Sequence, residues 1–119
     1  MNLLQILETR LDNVIYRLGY AASRAQARML VTHGHFNVNG RRTDVPSMIV
    51  SPEDRIGVRE GSRKRTFFKN LPKEAENRSP ADWVDRDLKN LTGKVVRMPE
   101  RAEIDGNLDE QLIVEYYSR

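Results

Sequence analysis

Apolar side chains recur at spacings of three and four through Leu4, Leu7, Leu11, Val14, Ile15 and Leu18. That draws one apolar stripe and predicts a single amphipathic helix running to Gly19. Gly19 tolerates the left-handed backbone of a helix stop, and Tyr20 can make the apolar contact that accompanies such a cap. Ser23 opens the next helix, where its hydroxyl accepts from an exposed amide and Gln26 completes a Ser-x-x-Gln capping box. Ala27, Leu30 and Val31 are its buried stripe, and Gly34 ends it.

From Phe36 the period becomes two. Phe36 and Val38 face a core, and His35, Asn37 and Asn39 face out. Asn39-Gly40 predicts a tight type I′ hairpin turn, with a second strand leaving through Arg41 and Arg42. Met48 to Val50 reads as another short strand, Ser51 to Asp54 as a turn, and Ile56 and Val58 mark a further strand. Gly61 to Asn70 reads as a basic linker entering a short helix through Lys73 to Glu76. Trp83 to Asp87 and Lys94 to Met98 read as two strands joined by a turn at Asn90 to Gly93. For Asp105 to Tyr117 the spacing suggests a short closing helix capped by Asn107, while the β-rich run Leu112-Ile113-Val114 argues for a strand. The expected class is α+β: two N-terminal helices packed on a small antiparallel sheet. Residues 1–70 form the domain, and residues 71–119 an acidic extension and tail packing on or beside it.

The chain has 119 residues, 39% hydrophobic and 31% charged, which suits one domain. Its net charge of +3 hides an asymmetry: residues 1–70 hold 12 basic and 6 acidic side chains, residues 71–119 hold 8 and 11. The basic part suits a polyanion. Without cysteine the chain has no disulfide, thiolate metal site or thiol nucleophile. No run approaches the roughly 20 apolar residues of a membrane span, and the chain reads as soluble and intracellular.

Arg24 and Arg28 are four apart on one helix face, Arg10 and Arg17 repeat the pattern two turns apart, and Arg41 and Arg42 follow the tight turn. Like charges at helical spacing oppose an isolated helix, and a polyanion reverses that. Arginine's planar fork also grips phosphate bidentately. Any one of these could simply be solvated; six on one small unit favour an RNA face. Ser23 and Gln26 are accounted for by capping, although a helix N-terminus is itself an anion site. His33 and His35 are too few for a metal site, and His35 is expected at the surface, touching phosphate or base. Asn37 and Asn39 could bond bases or sugars. No activated nucleophile, supported carboxylate pair or glycine-rich phosphate loop emerges, so no enzyme, cofactor or metal is expected. Trp83 and the pair Tyr116 and Tyr117 read as packing groups.

The run Arg10-Leu-Asp-Asn-Val-Ile-Tyr-Arg-Leu-Gly19, with Ser23-Arg-Ala-Gln-Ala-Arg28, His33-Gly34 and Val38-Asn-Gly-Arg41, closely resembles the RNA-binding domain of the bacterial-type small-subunit ribosomal protein S-four family. The likeness extends through Leu3-Leu-Gln-Ile-Leu7, Pro46-Ser47, Val50-Ser-Pro52, Pro99-Glu-Arg101 and Leu112-Ile-Val-Glu-Tyr-Tyr-Ser118. Family members usually carry a further N-terminal domain, so the chain is expected to be a shortened form, its tail rearranged from about Pro99.

The resemblance implies the alpha-L motif and a primary binder of small-subunit ribosomal RNA at a helix junction. Such a protein nucleates subunit assembly beside neighbouring ribosomal proteins, is monomeric when free, is cytoplasmic or plastid and ribosome-associated, and makes no membrane contact. It also implies repression of the protein's own messenger RNA. On matching positions, Arg10, Arg17, Ser23, Arg24, Gln26, Arg28, His35, Asn37, Asn39, Arg41 and Arg42 would line the RNA face, with Arg59 added from the adjacent strand. Rival readings are a free-standing regulator or ribosome-rescue factor with the same domain, and the RNA anchor of a modifying enzyme.

Overall fold

The computed structural model describes residues 3–100. The tail, including the closing element expected at Asp105 to Tyr117, its cap Asn107, and Tyr116 and Tyr117, lies outside the described residues.

The first stripe forms two helices instead of one, α1 (Leu3–Glu8) and α2 (Leu11–Leu18). The break has a local cause. Thr9 Oγ1 donates to the Gln5 carbonyl at 2.7 Å, and Arg10 is extended at φ −61°, ψ 145°. The freed backbone bonds the segment predicted as a strand at Met48 to Val50: Leu11 N–H donates to Met48 O and Val50 N–H to Thr9 O. That segment therefore contributes only a bridge, Ile49 to Arg10, and does not join the sheet. Gly19 caps α2 in the left-handed region, φ 87°.

Helix α3 (Arg24–Thr32) begins at Ser23, whose hydroxyl accepts from Gln26 N–H at 3.0 Å. Gln26 Oε1 accepts from Ala22 N–H, closing the N-terminal turn. Strands β1 (Phe36–Val38) and β2 (Arg41–Thr43) flank Asn39 and Gly40, with φ 52° and 81° as a type I′ turn needs. Strand β3 (Arg55–Val58) pairs with β1.

Beyond β3 a 3-10 turn (Glu60–Ser62) leads into α4 (Thr66–Ala75), which replaces most of the expected linker. Phe68, Leu71 and Ala75 lie at spacings of three and four and are buried, a stripe that the intervening charges concealed. Strands β4 (Val84–Asp87) and β5 (Thr92–Val95) follow. β5 starts two residues earlier than predicted, because the Asp87 carboxylate accepts from Lys89 N–H, Asn90 N–H and Asn90 Nδ2 and closes the turn early.

The sheet is antiparallel throughout, in the order β2-β1-β3-β5-β4. Leu11, Ile15 and Leu18 of α2, Ala27 and Val31 of α3, and Phe36, Val38, Ile56 and Val95 of the sheet form one core with Phe68 and Trp83. Trp83 is a packing group. At Gly93 a β-carbon would lie 2.7 Å from both Leu18 methyls, so α2 rests directly on the strand backbone. The α2–α3 pair is thereby fixed over one face of the sheet.

Candidate nucleic-acid interface

The arginines fall into two sets. Arg10, Arg17 and Arg24 are half-buried and internally partnered. Arg10 Nε and Nη2 each meet the Asp12 carboxylate at 3.2 Å. Arg17 Nε donates to Glu8, whose side chain is wholly buried. Arg24 Nε donates to Asn13 Oδ1 at 2.8 Å, and its guanidinium carbon lies 4.7 Å from the Tyr16 ring centroid. Asn13 Nδ2 in turn donates to the Glu8 carbonyl. These groups tie α1, α2 and α3 together. Arg10 and Arg17, expected to repeat the Arg24 and Arg28 pattern, are both held by carboxylates: the α1–α2 break turns Glu8 inward, and a buried carboxylate requires a paired cation. Arg24 likewise leans toward α2, whereas Arg28 on the same helix is exposed.

Arg28, Arg41 and Arg42 are exposed and have no carboxylate within ion-pairing distance among the described residues. The hairpin register sets Arg42 opposite Asn37 and Arg41 opposite Val38, so the two arginines leave opposite faces of the ribbon. One continuous arginine face is thus replaced by a wrap around the hairpin edge. Arg42 folds back over the turn after α3: a β-carbon on Gly34 would lie 2.5 Å from its Nη2. From β3's end Arg59 Nε reaches the Gly34 carbonyl at 3.0 Å.

His35 does not face out. Its ring is buried, with Nδ1 2.8 Å from Ser62 Oγ, and it meets Phe68 edge-on at 5.2 Å between centroids. The 3-10 turn and α4, read in the sequence as linker, supply this cover. Burial, and then the charges of Arg65, His33, Arg59 and Arg42, hold its pKa below the usual imidazole value. Asn37 stays half-exposed. Asn39 is committed to the turn: Oδ1 accepts from Arg55 N–H and Nδ2 donates to Asp54, both at 2.9 Å. Ser23 and Gln26 are exposed or half-exposed and occupied as caps.

Arg65 stands beside His35 through Ser62: its backbone N–H donates to the Ser62 carbonyl at 3.1 Å, and Ser62 Oγ meets the His35 ring. Sequence reasoning missed it because Arg63-Lys64-Arg65 looked like linker charge; the available signal was the Phe68/Leu71/Ala75 stripe just beyond. Among the described residues no group of three His, Asp or Glu side chains could hold a metal ion.

Two packed helices against a basic hairpin define the class. Residues 9–56, from the end of α1 to β3, match the S4 domain family. The chain aligns over 98% of its length, at 56% identity, with small ribosomal subunit protein uS4 of Herpetosiphon aurantiacus, covering 56% of that protein. It is similarly 52% identical over 99% of its length to uS4A of Alkaliphilus oremlandii, again covering 56%, and 54% identical over 98% to uS4 of Natranaerobius thermophilus. Across nearly its whole length the chain is thus similar to uS4 small ribosomal subunit proteins. It spans about half the length of the curated relatives it matches.

Proposed function

We propose that the chain is a structural ribosomal protein that binds folded small-subunit ribosomal RNA and helps nucleate subunit assembly. The observation that carries this is the unpaired state, among the described residues, of Arg28, Arg41 and Arg42 around a rigid helix pair and hairpin. Folding these like charges together is opposed by their repulsion, and RNA phosphate relieves it. Recognition is of converging phosphates more than of base sequence, because the deep major groove of duplex RNA hides base edges. Residues 1–70 carry the contacts; residues 71–119 supply β4 and β5, which brace β3. On this reading the free protein is a cytoplasmic monomer that touches neighbouring small-subunit proteins on the ribosome, and its own messenger RNA competes for the same surface. Chemical footprinting on naked small-subunit RNA tests the proposal. Protection clustered at a helix junction, with co-sedimentation on small and not large subunits, is expected; large-subunit binding would favour a rescue factor.

A further inference from the structure

We infer that His33, Arg42, Arg59 and Arg65 form a discrete phosphate site around the Gly34 turn, filled by one phosphodiester of bound RNA. The ligand's identity rests on the RNA-binding reading above; the site itself rests on the following geometry. Arg59 Nε is fixed on the Gly34 carbonyl at 3.0 Å. The Arg42 guanidinium lies against the same residue, since a β-carbon there would fall 2.5 Å from Nη2, 2.7 Å from Nε and 3.0 Å from Cζ. Any side chain at position 34 would displace that guanidinium. The His33 ring lies 6.2 Å from that of buried His35, and Arg65, at the N-terminal end of α4, donates its backbone N–H to the carbonyl of Ser62, whose hydroxyl lies 2.8 Å from His35 Nδ1. Three elements that are distant in sequence therefore bring cationic side chains to one turn.

None of these four has a carboxylate within ion-pairing distance among the described residues, and neighbouring Glu60 pairs with none of them. Three permanent charges and an imidazole held together without a counter-ion fit an anion whose oxygens accept from several forks at once. Phosphate meets that requirement. Arg59 and Arg65 lie beyond residue 56, where the S4-domain match ends, so the site carries the RNA footprint past that module.

The test titrates isotopically labelled full chain with inorganic phosphate, against chloride at matched ionic strength, while amide NMR shifts are followed. Saturable, phosphate-specific shifts concentrated at residues 33–35, 42, 59 and 65 are expected, and both Arg65→Gln and Arg42→Gln should weaken them severalfold. Neither side chain is exposed to a loss of packing, as both are on the surface. In small-subunit RNA binding, Arg65→Gln should lower the log-log salt slope by about 1. Shifts spread evenly over all basic residues, or matched by chloride, overturn the site. Localised phosphate shifts with RNA affinity and slope unchanged in Arg65→Gln overturn RNA as its ligand. Localised shifts in a chain that binds no RNA at all support the site while the RNA-binding reading falls.

Discussion

Arg17 and Arg28 are both arginines on helices at the basic end of the molecule, and their surroundings give them opposite roles. Arg17 answers a wholly buried Glu8, so removing it leaves a desolvated carboxylate; Arg17→Ala should cost about 3–5 kcal/mol, read by urea denaturation. The Glu8→Met/Arg17→Met pair should recover most of that loss, because no lone charge remains. Arg28 is exposed; Arg28→Ala should change stability by less than about 0.5 kcal/mol and instead flatten the RNA salt slope by about 1. His35 carries a pH dependence. Burial lowers its folded-state pKa below the ordinary 6.5, so below that value the unfolded chain binds the proton more readily. Stability should be unaffected by His35 above about pH 7, fall as pH drops through 6.5, and level off once pH lies under the folded-state pKa. The urea midpoint of His35→Gln, followed from about pH 7.5 to 5, should lack that segment of the curve.

At the scale of elements, two glycines separate backbone cost from site geometry. Gly34 and Gly40 have similar positive φ, 77° and 81°, so alanine at either should cost about 1–2 kcal/mol through the backbone alone. At Gly40 a β-carbon meets nothing, while at Gly34 it meets the Arg42 guanidinium. Thermal melts of the two variants should be alike, but only Gly34→Ala should lose RNA affinity; equal losses would detach Gly34 from the interface. The same elements show what can be read from a chain. The Asn39-Gly40 turn, the Ser23 cap and the α3 stripe were legible because each is set by residues within four positions of one another. The α1–α2 break was not, since the apolar stripe continues through it, and the backbone it frees is satisfied only by a distant segment, where Leu11 N–H donates to Met48 and Thr9 accepts from Val50. His35 misled for a related reason: alternation from Phe36 placed it outward, but the 3-10 turn and α4, not legible as cover in the sequence, bury it against Ser62 and Phe68.

For the whole molecule, the net charge of +3 says little about partners, and the distribution says more. If binding depended on overall charge, any two cations would be equivalent. Arg28 and Arg41 lie on the helix pair and hairpin, whereas Lys73 and Lys89 lie on the C-terminal turn of α4 and after β4; all four are exposed and none is ion-paired among the described residues. The double variants Arg28→Gln/Arg41→Gln and Lys73→Gln/Lys89→Gln remove the same charge. Counterion release counts only cations that sit on phosphate, each contributing a little under one unit of slope. The arginine pair should therefore reduce the log-log slope by about 2, and the lysine pair should leave it within error while both proteins retain wild-type melting behaviour. Equal reductions would mean that the chain meets RNA as a diffuse cation, and the division between a contacting part and a bracing part would have to be abandoned.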